Sequence, residues 1–131
     1  MIGNNEQKEF GDYQTPSYFT DIVCRYLRKR MNLSPNFIIE PTCGRGNFID
    51  SCLKYFPNSK ICGIEINKEY FNETKTNLNS GNVFIYNEDI FSFDFNHMID
   101  TLSCDDKTLL VGNPPWVTNS ELSLMKSEFA K

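Results

Sequence analysis

Four short apolar runs, each bounded by turn-forming residues, alternate with segments whose apolar residues recur at helical spacing, and this alternation restricts the fold of the 131-residue chain more than any other feature. Phe37-Ile38-Ile39 follows the turn-like Asn32-Leu33-Ser34-Pro35 and reads as a strand buried on both faces. Residues 60–66, Val83-Phe84-Ile85-Tyr86 and Thr108-Leu109-Leu110-Val111 also read as strands. Helical segments separate them. Pro16 opens the first, with Phe19, Ile22, Val23, Tyr26 and Leu27 at helical spacing. Phe48, Ile49, Cys52, Leu53 and Phe56 mark a second that Pro57 ends, and residues 68–78 form a third closed by Asn79-Ser80-Gly81. The stretch 91–107 is the hardest to read and holds one short helix near residues 96–102. Strands alternating with helices predict an α/β fold, with a parallel sheet and right-handed crossovers.

The length fits a single domain over residues 1–131, and 40% hydrophobic residues with 14% aromatic ones suffice for a packed core. A formal net charge of −4 has the wrong sign for a chain that blankets nucleic-acid phosphates, so any DNA contact must be local. Residues 1–60 carry 8 basic and 6 acidic side chains while residues 61–131 carry 5 and 11, which makes the first half the side to meet an anion. Arg25, Arg28, Lys29 and Arg30 crowd the end of the first helix, where they complement its dipole or hold an anion. Cysteines at 24, 43, 52, 62 and 104 match neither paired metal-ligand spacing nor a compact disulfide framework, so no metal is expected and a reducing cytoplasm suits them. Neither a secretory signal nor a membrane-spanning run of roughly 18 apolar residues is visible.

Ligands of parallel α/β sheets bind beyond the carboxyl ends of the strands, so the residues after each run carry the functional reading. The first is followed by Glu40-Pro41-Thr42-Cys43-Gly44-Arg45-Gly46-Asn47-Phe48, in which Gly44 and Gly46 allow a tight turn and close approach of a ligand. A third glycine of the dinucleotide fingerprint would fall at Ile49, and no Gly-Lys-Ser/Thr occurs, so the loop lacks both pyrophosphate signatures. Glu65, ending the second run before Ile66, can accept two hydrogen bonds from ribose hydroxyls. Asp89, after the third, can accept from an exocyclic amine while Ile90 packs on a purine. Together these describe an adenosine pocket without phosphate, which S-adenosylmethionine would fill.

The fourth run ends in Gly112-Asn113-Pro114-Pro115-Trp116. The prolines restrict Asn113 and Pro114 to extended conformations and aim a carbonyl outward. Asn113 Oδ1 and the Pro114 carbonyl form two rigid acceptors for the N–H bonds of an aryl or amide amine, whose lone pair then faces a methyl donor. Trp116 offers a flat surface for a planar substrate. No Pro-Cys pair suited to covalent attack on a base is present, and His97, the only histidine, reads as incidental.

These motifs resemble those of the amino-methyltransferases, in particular the adenine-N6 DNA methyltransferases of restriction-modification systems, over about residues 10–118. Phe10-Gly11-Asp12-Tyr13-Gln14-Thr15-Pro16 resembles the family's first cofactor motif, which implies that Thr15 and Pro16 cover the methionine end of the donor. Glu40, Pro41, Gly44, Gly46 and Phe48 match the glycine loop, Glu65 with Ile66 the ribose acid, Asp89 with Ile90 the adenine contact. Asn113, Pro114, Pro115 and Trp116 match the catalytic loop, Asn113 also lying against the donor. Trp116, where Tyr or Phe is commoner, is similar to the large restriction-methylase polypeptides.

The resemblance implies a Rossmann-like S-adenosylmethionine-dependent fold of about seven strands, of which this chain would hold four. It implies methyl transfer to the amine of a flipped adenine. The family's further strands, second aromatic clamp and target-recognition domain have no counterpart before the chain ends 15 residues after Trp116. The expectation is therefore the catalytic half of a longer enzyme, or a subunit completed by a partner chain that reads DNA and pairs with the apolar edge of the fourth strand. Two alternatives stay open: a protein-glutamine N5 methyltransferase, whose amide substrate suits the same loop, and a catalytically incomplete donor-binding subunit or remnant.

Overall fold

The computed structural model describes residues 14–102 and 107–114. Four helices and four strands alternate in chain order: α1 (Ser17–Lys29), β1 (Phe37–Glu40), α2 (Asn47–Tyr55), β2 (Lys60–Ile64), α3 (Lys68–Asn77), β3 (Val83–Tyr86), α4 (Phe95–Leu102) and β4 (Thr108–Leu110). The strands form one parallel sheet in the order β3-β2-β1-β4. The chain therefore adds β2 and β3 on one side of β1 and then crosses back to place β4 on the other. In parallel sheets with such a reversal, ligands bind beyond the carboxyl ends of the strands on either side of it, here β1 and β4.

All four residues of β1 are buried, as a central strand covered on both faces requires. One core cluster joins Cys24 of α1 and Ile49 and Cys52 of α2 to Ile38 and Ile61. The second, built on Phe37, Ile39, Cys62 and Ile64, is covered by Met98 and Leu102 of α4. The sheet is thus sandwiched between helices, and residues Gln14–Asn113 form one compact unit. Among the described residues β4 pairs only with β1, and Leu110 is 67% exposed.

Two sequence expectations change. The strand expected over residues 60–66 ends at Ile64: the Asn67 N–H donates to Glu65 Oε1 at 2.8 Å, and Asn87 Nδ2 donates to the carbonyls of Glu65 and Ile66 at 2.9 and 3.1 Å. Side chains thus take over from the ladder and turn the backbone into α3. On α1, Phe19, Ile22 and Tyr26 are exposed, while Thr20 and Cys24 are buried and Val23 and Leu27 pack against the core. The inward face is the one on which Thr20 Oγ1 meets Ser51 Oγ at 2.7 Å and Cys24 Sγ meets Cys52 Sγ at 3.7 Å. No helix among the described residues is long and apolar enough to cross a membrane.

Candidate active site

The loop between β1 and α2 turns through two glycines in the left-handed region, Gly44 at φ 54° and Gly46 at φ 87°. Gly46 is needed for a second reason, since a Cβ there would lie 2.8 Å from both Leu78 Cδ1 and Thr74 Cγ2. The buried Thr74 hydroxyl donates to the Gly44 carbonyl at 2.8 Å, which fastens the loop to α3. On the outer side, Arg45 Nη1 contacts both carboxylate oxygens of Glu73 at 3.0 and 2.8 Å, and its guanidinium lies 4.7 Å from the Tyr70 ring centre. Of the residues matched to this loop, Phe48 and Glu40 are buried and Pro41 is half-buried. Thr42 Oγ1 is buried without a hydrogen-bond partner among the described residues, an orphan that a bound polar group would satisfy.

Glu65 follows β2 and faces this loop. Its Oε2 accepts from the Gly44 N–H at 2.7 Å and its Oε1 from the Asn67 N–H at 2.8 Å. Each carboxylate oxygen has a second lone pair, so the two backbone contacts orient the group and leave it able to accept from a pair of vicinal hydroxyls. Ile66, beside it, is 66% exposed. At the end of β3, Asp89 Oδ1 accepts from the Phe91 N–H at 3.0 Å, closing a turn that occupies one of its two oxygens. Ile90 packs against the second core cluster, whereas Phe91 is 95% exposed.

The exit of β4 lies beside the exit of β1. The Val111 N–H donates to the Ile39 carbonyl at 3.0 Å, one bond beyond the assigned strand, and this pairing brings Gly112 against Glu40. A Cβ on Gly112 would overlap the Glu40 carboxyl. That carboxyl is 3% exposed and accepts from the Thr42 N–H at 3.0 Å. Burial pushes it up to about 7; the Thr42 N–H opposes the rise and the charge of Glu65 adds to it.

Asn113 Nδ2 donates to Thr15 Oγ1 at 3.3 Å. The Thr15 carbonyl accepts from Asn47 Nδ2 at 2.8 Å, and Gln14 Oε1 accepts from the Arg45 N–H at 3.0 Å. The segment 14–16, the glycine loop and the β4 exit thus share one set of contacts. Pro16 caps the start of α1 and Pro114 is exposed after β4, while Pro115 and Trp116 lie outside the described residues.

The structure adds residues to this site that the sequence reading missed. Gln14, Asn47 and Thr74 all hold the glycine loop or its neighbours. Asn47 follows Gly46 directly and Gln14 stands beside Thr15 in the first motif, which were the available signals; Thr74 had none, because its contact spans 30 positions.

The model of the family described as N-6 DNA Methylase matches residues 1–130. The chain belongs to the N-6 DNA methylase family. It is 39% identical to the type II methyltransferase M.NspV of Nostoc sp. over 98% of this chain and 27% of the relative, and 32% identical to the type II methyltransferase M.CvrRI of Paramecium bursaria Chlorella virus XZ-6E over 89% of this chain and 27% of that one. The N-6 DNA methylase chain thus spans about a quarter of the length of these relatives. An RNA methyltransferase of Salinibacter ruber, solved in complex with S-adenosyl-L-homocysteine, superposes with a TM-score of 0.57 at 14% identity, over 89% of this chain and 69% of that one. That likeness is one of fold: the four-stranded parallel sheet of this family member is part of a Rossmann-like methyltransferase fold.

Proposed function

We propose that this chain carries the donor site and the acceptor loop of an adenine-N6 DNA methyltransferase of the restriction-modification type, with S-adenosylmethionine as methyl donor. The observation that carries the reading is the link from Asn47 through Thr15 to Asn113, which draws the glycine loop and the β4 exit together. Family membership supports the chemistry. The curated relatives being methylases of type II systems supports DNA as the substrate.

The donor, when bound, supplies an electrophilic methyl group on a sulfonium. The residues present fit it: a loop pinched by two left-handed glycines, a carboxylate aimed by two backbone N–H groups, and an orphaned hydroxyl in the same loop. Glu65 would hold the ribose, Asp89 with Ile66 and Ile90 the adenine, and Thr15 and Pro16 the methionine end. Pro41 and Phe48 set the course of the loop. Asn113 Oδ1 and the Pro114 carbonyl take the two N–H bonds of the target amine, which turns its lone pair toward the donor. Pro115 restrains Pro114, and Trp116 stacks on the extruded base. Rate enhancement here is a matter of position and orientation.

The DNA-reading surface belongs to the further length that the relatives possess, or to a partner subunit, and the working compartment is the cytoplasm. The glutamine-methylation alternative is not favoured by the relatives. Labelled-methyl transfer with the full-length protein separates them: label in adenine of duplex DNA is expected, and label confined to protein would refute the proposal.

A further inference from the structure

We infer that Asn47 is a positioning residue for the Asn113 amide and acts through Thr15. This rests on the methyl-transfer reading above and assigns a role to a residue outside the donor and acceptor contacts. Asn47 is the first residue of α2, directly after the left-handed Gly46, so its backbone is set by the turn of the loop. Its Nδ2 donates to the Thr15 carbonyl at 2.8 Å, while its own carbonyl lies 3.2 Å from the buried Thr20 hydroxyl. Residues 15 and 20 therefore grip Asn47 from two sides. Pro16 restricts Thr15 to extended backbone and Asn47 holds its carbonyl, so the Cα–Cβ bond that carries the hydroxyl is held in place. That hydroxyl receives Asn113 Nδ2 at 3.3 Å, which turns the amide so that Oδ1 lies on the opposite branch from Thr15. The glycine loop thereby sets the rotation of the acceptor amide, and a small misorientation of a positioned group can cost orders of magnitude in rate.

The test is a double-mutant cycle in the full-length protein. It reads kcat and S-adenosylhomocysteine affinity for the parent, Asn47→Asp, Thr15→Ala and the double variant, with Asn113→Ala alongside. Asn47→Asp keeps the size of the side chain but replaces its N–H donor by an acceptor. The expected result is a fall in kcat of about tenfold, affinity within about twofold of the parent, and no further loss when Asn47→Asp is added to Thr15→Ala. Unchanged kcat, or equal losses in both backgrounds, would overturn the inference. An Asn113→Ala variant with normal turnover would instead sink the assignment of that amide as the amine acceptor, and no methyl transfer by the parent would sink the methyl-transfer reading itself. If Asn47→Asp does not fold, the smaller, uncharged Asn47→Ser runs the same cycle. A readout independent of turnover is the Asn113 side-chain amide resonance. It shifts with Asn47→Ser in the parent and stays put in the Thr15→Ala background; a resonance unmoved in both overturns the relay.

Discussion

Asn113 Nδ2 and Thr15 Oγ1 lie 3.3 Å apart although 98 positions separate the two residues. A segment ahead of α1 and the exit of β4 meet only because β4 is laid beside β1. The same neighbourhood brings Gly112 against the Glu40 carboxyl, so two independent contacts tie the β4 exit to the segments around the β1 exit.

Replacing Asn113 removes the proposed amine acceptor and leaves the glycine loop intact. Asn113→Ala is expected to lower kcat by about a hundredfold or more while S-adenosylhomocysteine affinity changes little, read by single-turnover kinetics and calorimetry. Normal turnover would show that the amide does not orient the substrate.

Glu65 has the opposite emphasis. Its carboxylate is aimed by the Gly44 and Asn67 N–H groups, and losing it removes the charge-assisted bonds proposed to the ribose. Glu65→Ala is expected to weaken donor affinity by about a hundredfold, roughly 3 kcal/mol. Calorimetry giving parental affinity would refute the ribose assignment.

Glu40 links pH to stability. Its folded-state carboxyl is raised to about 7 from an ordinary 4.5, chiefly by burial, so the unfolded chain releases this proton before the folded one does. Its contribution is therefore complete below pH 4.5 and declines as pH rises through 7, by about 3 kcal/mol in total. Glu40→Gln, which cannot ionise, is expected to flatten that part of the profile and to gain on the parent at pH 8, as chemical denaturation would show. Parallel profiles would mean that Glu40 does not titrate in this range.

Gly112 is closed to larger residues by the same carboxyl. Since Gly112 is not among the positive-φ glycines, the cost of Gly112→Ala comes from overlap with Glu40 alone, about 1–3 kcal/mol. Pairing it with the shorter Glu40→Ala should recover most of the loss. Additive losses in denaturant melts would place the two residues apart.

Much of the fold was legible because strands whose faces both pack on the core are continuous apolar runs: the buried Phe37-Ile38-Ile39 and the half-buried Val83-Phe84-Ile85-Tyr86 could hardly be read otherwise. The short helix expected at residues 96–102 is present as Phe95–Leu102. The glycine loop stood out because only glycine adopts the φ values found at positions 44 and 46 so readily. The end of β2 was overrun, since Glu65-Ile66 continues the strand pattern and only the side chains of Asn87 and Glu65 stop it. The inner face of α1 was obscured because the buried residues Thr20 and Cys24 are not strongly apolar, while Ile22 and Tyr26 remain exposed. Contacts such as Glu40 with Gly112 or Thr74 with Gly44 leave no local trace, being products of the strand order.

That the glycine loop and the β4 exit line one donor crevice is tested most directly by titrating the isotopically labelled full-length protein with S-adenosylhomocysteine and following backbone amide resonances. Saturable shifts at Gly44, Arg45 and Gly46 together with Gly112 and Asn113, at one common affinity, are the expected result. Shifts at the glycines with Gly112 and Asn113 unmoved would contradict the shared site.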